Sequence, residues 1–234
     1  MASPSEPLLL LFDIDGTLLD TGGAGLTSIA GAAEEHFADH LDSAGGVPPL
    51  DLAGSTDGGI VRYLYKHFGE AYTASGETAF YQTYLRHLKA NLGHERYGDV
   101  GLLPGVPALL KVLASTEGVT LALLTGNIRE GAFRKVAHYS IGHHFSDGAF
   151  GDDHPDRNEL GAIAMKRMGD QFTPENTVVI GDTPKDIRCA RACGAKAVAV
   201  ATGKFSAGEL EEFEADVLLE NFSDTAAAVS ALVG

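Results

Sequence analysis

Short apolar runs recur along the chain at 8–12, 119–124, 177–180, 195–200 and 217–219, each closed by a polar or glycine-rich turn. Runs of this length between turn signals predict strands buried on both faces. Between most of them the apolar positions return at helical spacing, over 106–114, 128–136, 160–167, 186–193 and 207–213. Strands alternating with helices predict βαβ units, hence a parallel sheet covered on both sides.

One interval breaks the alternation. From Thr21 to Gly98 no strand pattern occurs, and helical stretches are predicted over 25–40, 58–68 and 77–91, separated by turn-rich segments at 43–49 and 70–76. The return is marked by Leu103-Pro104-Gly105-Val106-Pro107, with Pro107 in the first turn of the next helix. The expected architecture is an α/β fold: a Rossmann-like three-layer core with a parallel sheet, built from residues 1–20 and 99–234, around an inserted α-helical cap at 21–98.

Composition changes this picture little. The 234 residues are 44% hydrophobic and 21% charged, which permits a sizeable core. The net charge of −15 argues against nucleic acid or an anionic membrane as partner. It also means that a phosphorylated metabolite is repelled unless a metal or local cations reverse the sign. No leader or membrane-spanning stretch is evident, and Cys189 and Cys193, one helical turn apart, read as packing thiols. A cytoplasmic monomer or homodimer is expected.

The candidate chemistry sits at strand ends. The first run meets Asp13-Ile14-Asp15-Gly16-Thr17. Two carboxylates at i, i+2 repel each other unless a divalent cation compensates, and oxygen ligands suit Mg²⁺. Gly16 permits a tight turn whose N–H groups can hold phosphate oxygens. Alone, the pair reads equally well as an Asp-Gly turn. The second run ends in Thr125-Gly126-Asn127 at a helix start, either an anion site or an N-cap. The third ends in Gly181-Asp182-Thr183-Pro184-Lys185-Asp186, where Asp182 and Asp186 are either metal ligands or helix-capping groups. Arg157 stands just before a helix, where the helix dipole disfavours a cation, so a phosphate partner explains it better than it explains the mid-helix Lys166. Four histidines at 138, 143, 144 and 154 match no zinc spacing.

In this order, these elements resemble the haloacid dehalogenase-like (HAD) hydrolase superfamily over nearly the whole chain, with the insertion similar to a C1-type cap and the general likeness nearest to phosphoglycolate-phosphatase-like enzymes. The resemblance implies phosphoryl transfer through an aspartyl phosphate. Asp13 is the implied nucleophile and Asp15 the acid/base. The implied Mg²⁺ ligands are Asp13, the Asp15 backbone carbonyl and Asp182, supported by Asp186. Thr125, Gly126 and Arg157 bind the transferring oxygens, with Gly16, Thr17, Asn127 and the cap residues Ser55 and Thr56 as further phosphate or substrate contacts. Ser55 or Thr56 also reads simply as the cap of the helix near Gly58. Asp15 separates the chain from haloalkanoate dehalogenases and phosphonate hydrolases, and the loop Leu52-Ala53-Gly54-Ser55-Thr56-Asp57 lacks the basic residue of the sugar-phosphate mutase branch. A Mg²⁺-dependent phosphatase of a small phosphorylated metabolite is therefore expected. The alternatives are a phosphotransferase or mutase of the same fold, or a non-catalytic binding protein.

Overall fold

The computed structural model describes residues 7–51, 53–98 and 100–234. Leu52, in the cap loop, and Asp99, at the expected domain boundary, lie outside the described residues, as do residues 1–6. In chain order the elements are β1 (Leu8–Phe12), β2 (Leu19–Asp20), α1 (Ala24–His36), α2 (Leu41–Ala44), α3 (Asp57–Phe68), α4 (Ala74–Asn91), β3 (Gly101–Leu102), α5 (Val106–Ala114), β4 (Val119–Leu124), α6 (Arg129–His138), β5 (Gly148–Ala149), α7 (Leu160–Met168), β6 (Thr177–Gly181), α8 (Pro184–Cys193), β7 (Lys196–Val200), α9 (Ala207–Glu211), β8 (Val217–Leu219) and α10 (Thr225–Val233).

The main sheet has six strands in the order β5-β4-β1-β6-β7-β8, paired in parallel throughout. β1 is central, with Leu9–Phe12 in register with Thr120–Leu123 on one side and Thr177–Ile180 on the other. Its unbroken apolar sequence follows from that position, because alternate side chains enter opposite cores. Leu10 and Phe12 pack with α5, α6 and α10, whereas Leu9 and Leu11 pack with α7, α8 and α9. The three-layer α/β core expected from the alternation is thus present. Several short elements escape the pattern: β2, β3 and the edge strand β5 are only two residues long, α2 is a single turn, and the Ala-rich α10 has no polar face to mark it.

Helices α1 to α4 lie between β2 and β3, which pair antiparallel, so the chain leaves the core and returns through adjacent strands. These helices build their own cluster around Phe37, Leu64, Tyr65, Phe80, Tyr84 and Leu88. Ile128, from the core, joins it. The expected helix over 25–40 ends early, at His36: Phe37 leaves helical geometry, its ring stacking on Phe68, and a 3₁₀ turn follows. α3 begins as the capping pattern requires, with the Thr56 hydroxyl accepting from the Gly59 N–H at 3.0 Å. Both cysteines are free thiols.

Candidate active site

The carboxyl ends of β1, β4 and β6 converge on a cavity of about 460 Å³ between the core and helices α1, α3 and α4. Asp13 follows β1 directly, its N–H bonded to the Ile180 carbonyl at 2.9 Å. The chain then turns on Ile14, whose carbonyl accepts from Thr17, Leu18 and Leu19. Gly16 has φ of 84°, and a β-carbon there would lie 2.4 Å from Asp182 Oδ2. Only glycine lets this turn approach the third strand so closely.

Asp13, Asp182 and Asp186 are all buried, and each offers an oxygen within 4.8 Å of the others. At that separation two unit charges repel by about 3.5 kcal/mol at an effective dielectric of about 20. Burial raises Asp13 to about 6, with Arg157 lowering it and the Asp186 and Asp15 charges raising it further. Burial, then the charges of Asp13 and Asp186, hold Asp182 well above the usual carboxylate range. Three buried carboxylates face one buried guanidinium: Arg157 Nη2 lies 3.1 Å from Asp13 Oδ1 and bonds Asp186 Oδ1. Arg157 Nε is buried without a hydrogen-bond partner. The arginine leaves the cluster net negative. A set of hard oxygen donors carrying that excess fits a divalent cation such as Mg²⁺, and among the described residues no histidine joins such a group.

The expected residues divide into those that line the cavity and those that hold them. Asp13, Asp15, Gly16, Ser55, Thr125, Gly126, Asn127, Arg157 and Asp182 line it. Thr17 does not: its hydroxyl is fully buried and donates to Asp182 Oδ1 at 2.9 Å, so it steadies a carboxylate instead of meeting substrate. Thr56 does not line this cavity either, since its hydroxyl caps α3 and donates to the Pro155 carbonyl at 2.6 Å. Asp186 is behind Arg157 and accepts from the Thr183 N–H and hydroxyl. The N-cap of α8 is therefore Thr183, with Asp186 reaching back as its partner, and not Asp182. Lys166 is exposed on α7, remote from the role weighed for it against Arg157.

Two cavity residues, Lys135 and Tyr84, were not legible as site residues, and a third, Asp57, stands out on the cap loop beside Ser55. Lys135, on α6, is 3% exposed and places its ammonium 2.7 Å from both Asp15 oxygens and from Asn127 Oδ1. Asn127 Nδ2 in turn donates to Asp15 Oδ2 and to the Thr125 hydroxyl oxygen. The signal was present: Gly131, Ala132, Lys135 and Val136 form the buried stripe of α6, and a lysine on such a stripe requires an anion. Asp57, at the start of α3, accepts from the Ile128 N–H at 2.9 Å, and burial pushes it up to about 7. Tyr84, on α4, is buried with its hydroxyl unpartnered.

The cap also meets the loops that follow β4 and β5 through main-chain atoms. Asp57 N–H donates to the Gly126 carbonyl at 2.7 Å and Gly58 N–H to the Gly151 carbonyl at 3.2 Å. A β-carbon on Gly126 would lie 1.8 Å from the Ser55 carbonyl oxygen.

The family model described as haloacid dehalogenase-like hydrolase matches residues 10–200. A Dickeya dadantii protein named as a probable phosphatase, IndB, is 27% identical over 231 residues, covering 96% of this chain and 94% of its own. The phosphoglycolate phosphatase of Agrobacterium fabrum is 26% identical over 231 residues, covering 94% and 91%. The crystal structure of a hydrolase from Pseudomonas syringae superposes with a TM-score of 0.68 at 22% identity, covering 97% of this chain and all of that one, and shares the fold. Among the described residues no helix is long and apolar enough to cross a membrane.

Proposed function

Because the chain belongs to the haloacid dehalogenase-like hydrolase family, we propose that it is a Mg²⁺-dependent phosphatase that removes phosphate from a small phosphorylated metabolite. The division of labour proposed is a catalytic core of residues 1–20 and 99–234 under a cap of residues 21–98. The observation that carries the reading is the convergence of Asp13, Asp182, Asp186 and Arg157 at the ends of the central strands. The names of the relatives support the same reaction class.

In this reading Asp13 attacks phosphorus through a carboxylate oxygen, and the bond to the leaving oxygen breaks as Asp15 gives that oxygen a proton. Water then attacks the aspartyl phosphate, Asp15 takes its proton, and inorganic phosphate leaves with Asp13 restored. Asp13, Asp182, Asp186 and the Asp15 carbonyl are the residues to hold Mg²⁺, which when bound screens the carboxylate nucleophile from its anionic target. Arg157, Thr125 and the Gly126 N–H hold the transferring oxygens, where stabilisation of developing charge counts most. Lys135 and Asn127 fix the Asp15 carboxylate by contacts of 2.7 Å. Gly16 shapes the turn, and Ser55 faces the cavity from the cap.

The test is phosphate release from an aryl phosphate with and without Mg²⁺, on the unmodified protein and on Asp13→Asn. Activity that depends on Mg²⁺ and disappears in the variant, with the fold intact by circular dichroism, is expected. Substantial turnover by Asp13→Asn sinks the nucleophile assignment.

A further inference from the structure

The cavity wall carries information about the leaving group. Among the described residues the cap segment contributes no lysine, arginine or histidine to it. The cap side is instead apolar at Leu26, Ile29 and Ile60 and polar at Asp57 and Tyr84. Of the cations in the core wall, Arg157 is engaged by Asp13 and Asp186, and Lys135 by Asp15 and Asn127. Lys204 is exposed. A carboxylate on the leaving group would thus enter a wall bearing Asp15 and Asp20 and meet no cation of the cap, at the cost of its own desolvation.

Two features favour a different ligand. Tyr84 lines the cavity, and its hydroxyl is buried without a hydrogen-bond partner, an arrangement that costs free energy until something supplies one. Asp57 lines the same cavity, and with one carboxyl oxygen bonded to the Ile128 N–H the other can take a hydroxyl. The volume, about 460 Å³, lies within the roughly 300–1,000 Å³ of pockets that enclose multi-atom organic ligands.

Resting on the phosphatase reading above, we propose that the leaving group is an uncharged, hydroxyl-bearing carbon skeleton of the polyol or sugar type and not a carboxylic acid. Its hydroxyls bond Tyr84 and Asp57, and its carbon face packs on Leu26, Ile29 and Ile60.

Matched esters test this on the unmodified, full-length protein with Mg²⁺. Glycerol 3-phosphate and 3-phosphoglycerate differ in a terminal hydroxymethyl against a carboxylate, as do erythritol 4-phosphate and 4-phosphoerythronate. Phenyl phosphate reports the phosphatase reading itself. The neutral member of each pair is expected to exceed the acid in kcat/KM by about tenfold or more, the scale of leaving a buried charge unpaired. Tyr84→Phe is expected to lower kcat/KM for the polyol esters about tenfold more than for phenyl phosphate, and Leu26→Lys to narrow the gap within each pair. If phenyl phosphate is hydrolysed but the acids are turned over as well as the polyols, the leaving-group assignment is overturned and the phosphatase reading stands. Equal losses on all esters in Tyr84→Phe overturn it too. If no ester is hydrolysed, both fall.

Discussion

Asp57 offers a quantitative check on how the cap is seated. Its carboxyl is 8% exposed at the first turn of α3, and burial lifts it from 3.8 to about 7, partly countered by the Ile128 N–H and Lys135. A carboxyl that is harder to ionise in the native state binds more protons there than in the unfolded chain. The stability linked to it is fully present below pH 3.8 and is lost as pH rises through about 7. Between pH 5 and pH 8 roughly two pH units of that interval are crossed, worth about 3 kcal/mol at about 1.4 kcal/mol per unit. Asp57→Asn keeps an oxygen for the Ile128 N–H and cannot ionise. Urea unfolding of both proteins in EDTA, at pH 5 and at pH 8, isolates the effect, because every other titrating group cancels in the double difference. The variant should gain about 3 kcal/mol on the wild type as the pH is raised. A stability difference that stays constant within about 0.5 kcal/mol, or that moves in the opposite sense, refutes the account of Asp57 as a carboxyl kept neutral by burial.

The acidic cluster predicts a metal-linked rise in stability: Mg²⁺ at 100 times its dissociation constant should add about 2.7 kcal/mol, or roughly 5–10 °C in melting temperature. Asp182→Asn should remove most of that rise while stabilising the metal-free protein, and a variant with an undiminished Mg²⁺ shift counts against Asp182 as ligand. Arg157→Ala leaves Asp13 and Asp186 buried without their cation and should cost about 3–5 kcal/mol in metal-free chemical unfolding; a loss under 1 kcal/mol contradicts the ion-pair account. Lys135→Met frees the Asp15 carboxylate, whose side chain is 39% exposed, so kcat should fall roughly 10- to 100-fold with KM little changed. Activity within twofold of wild type removes Lys135 from the positioning of Asp15.

The core was readable because its strands are short and largely apolar, and three of them, β1, β4 and β6, run straight into site residues. A central parallel strand such as β1 has no polar face to blur it, and the chain places Asp13, Thr125 and Asp182 immediately beyond β1, β4 and β6. What escaped depends on approach in three dimensions. Lys135 reaches Asp15 across 120 residues and Tyr84 reaches the cavity from the far end of the cap. Lys135 shows in sequence only as a lysine on the buried stripe of α6, and Tyr84 sits among aromatic residues that do pack the cap. Thr17 and Thr56 were legible as polar groups near the motif. Which way a hydroxyl points, toward Asp182 or Pro155 instead of substrate, is decided by contacts 165 and 99 residues away.

The seating of the cap on Gly126 and Gly151 separates two things that proteins often tie together. At those two positions the bonds join amide and carbonyl groups common to every residue type, while the side chains of Ser55, Thr56 and Asp57 add bonds to Lys185, the Pro155 carbonyl and the Ile128 N–H. The main-chain pair survives a change of side chain at 53, provided Gly126 and Gly151 beneath stay bare. A chain built this way can vary what its loop presents to the cavity while part of the seat of its cap is written in backbone alone.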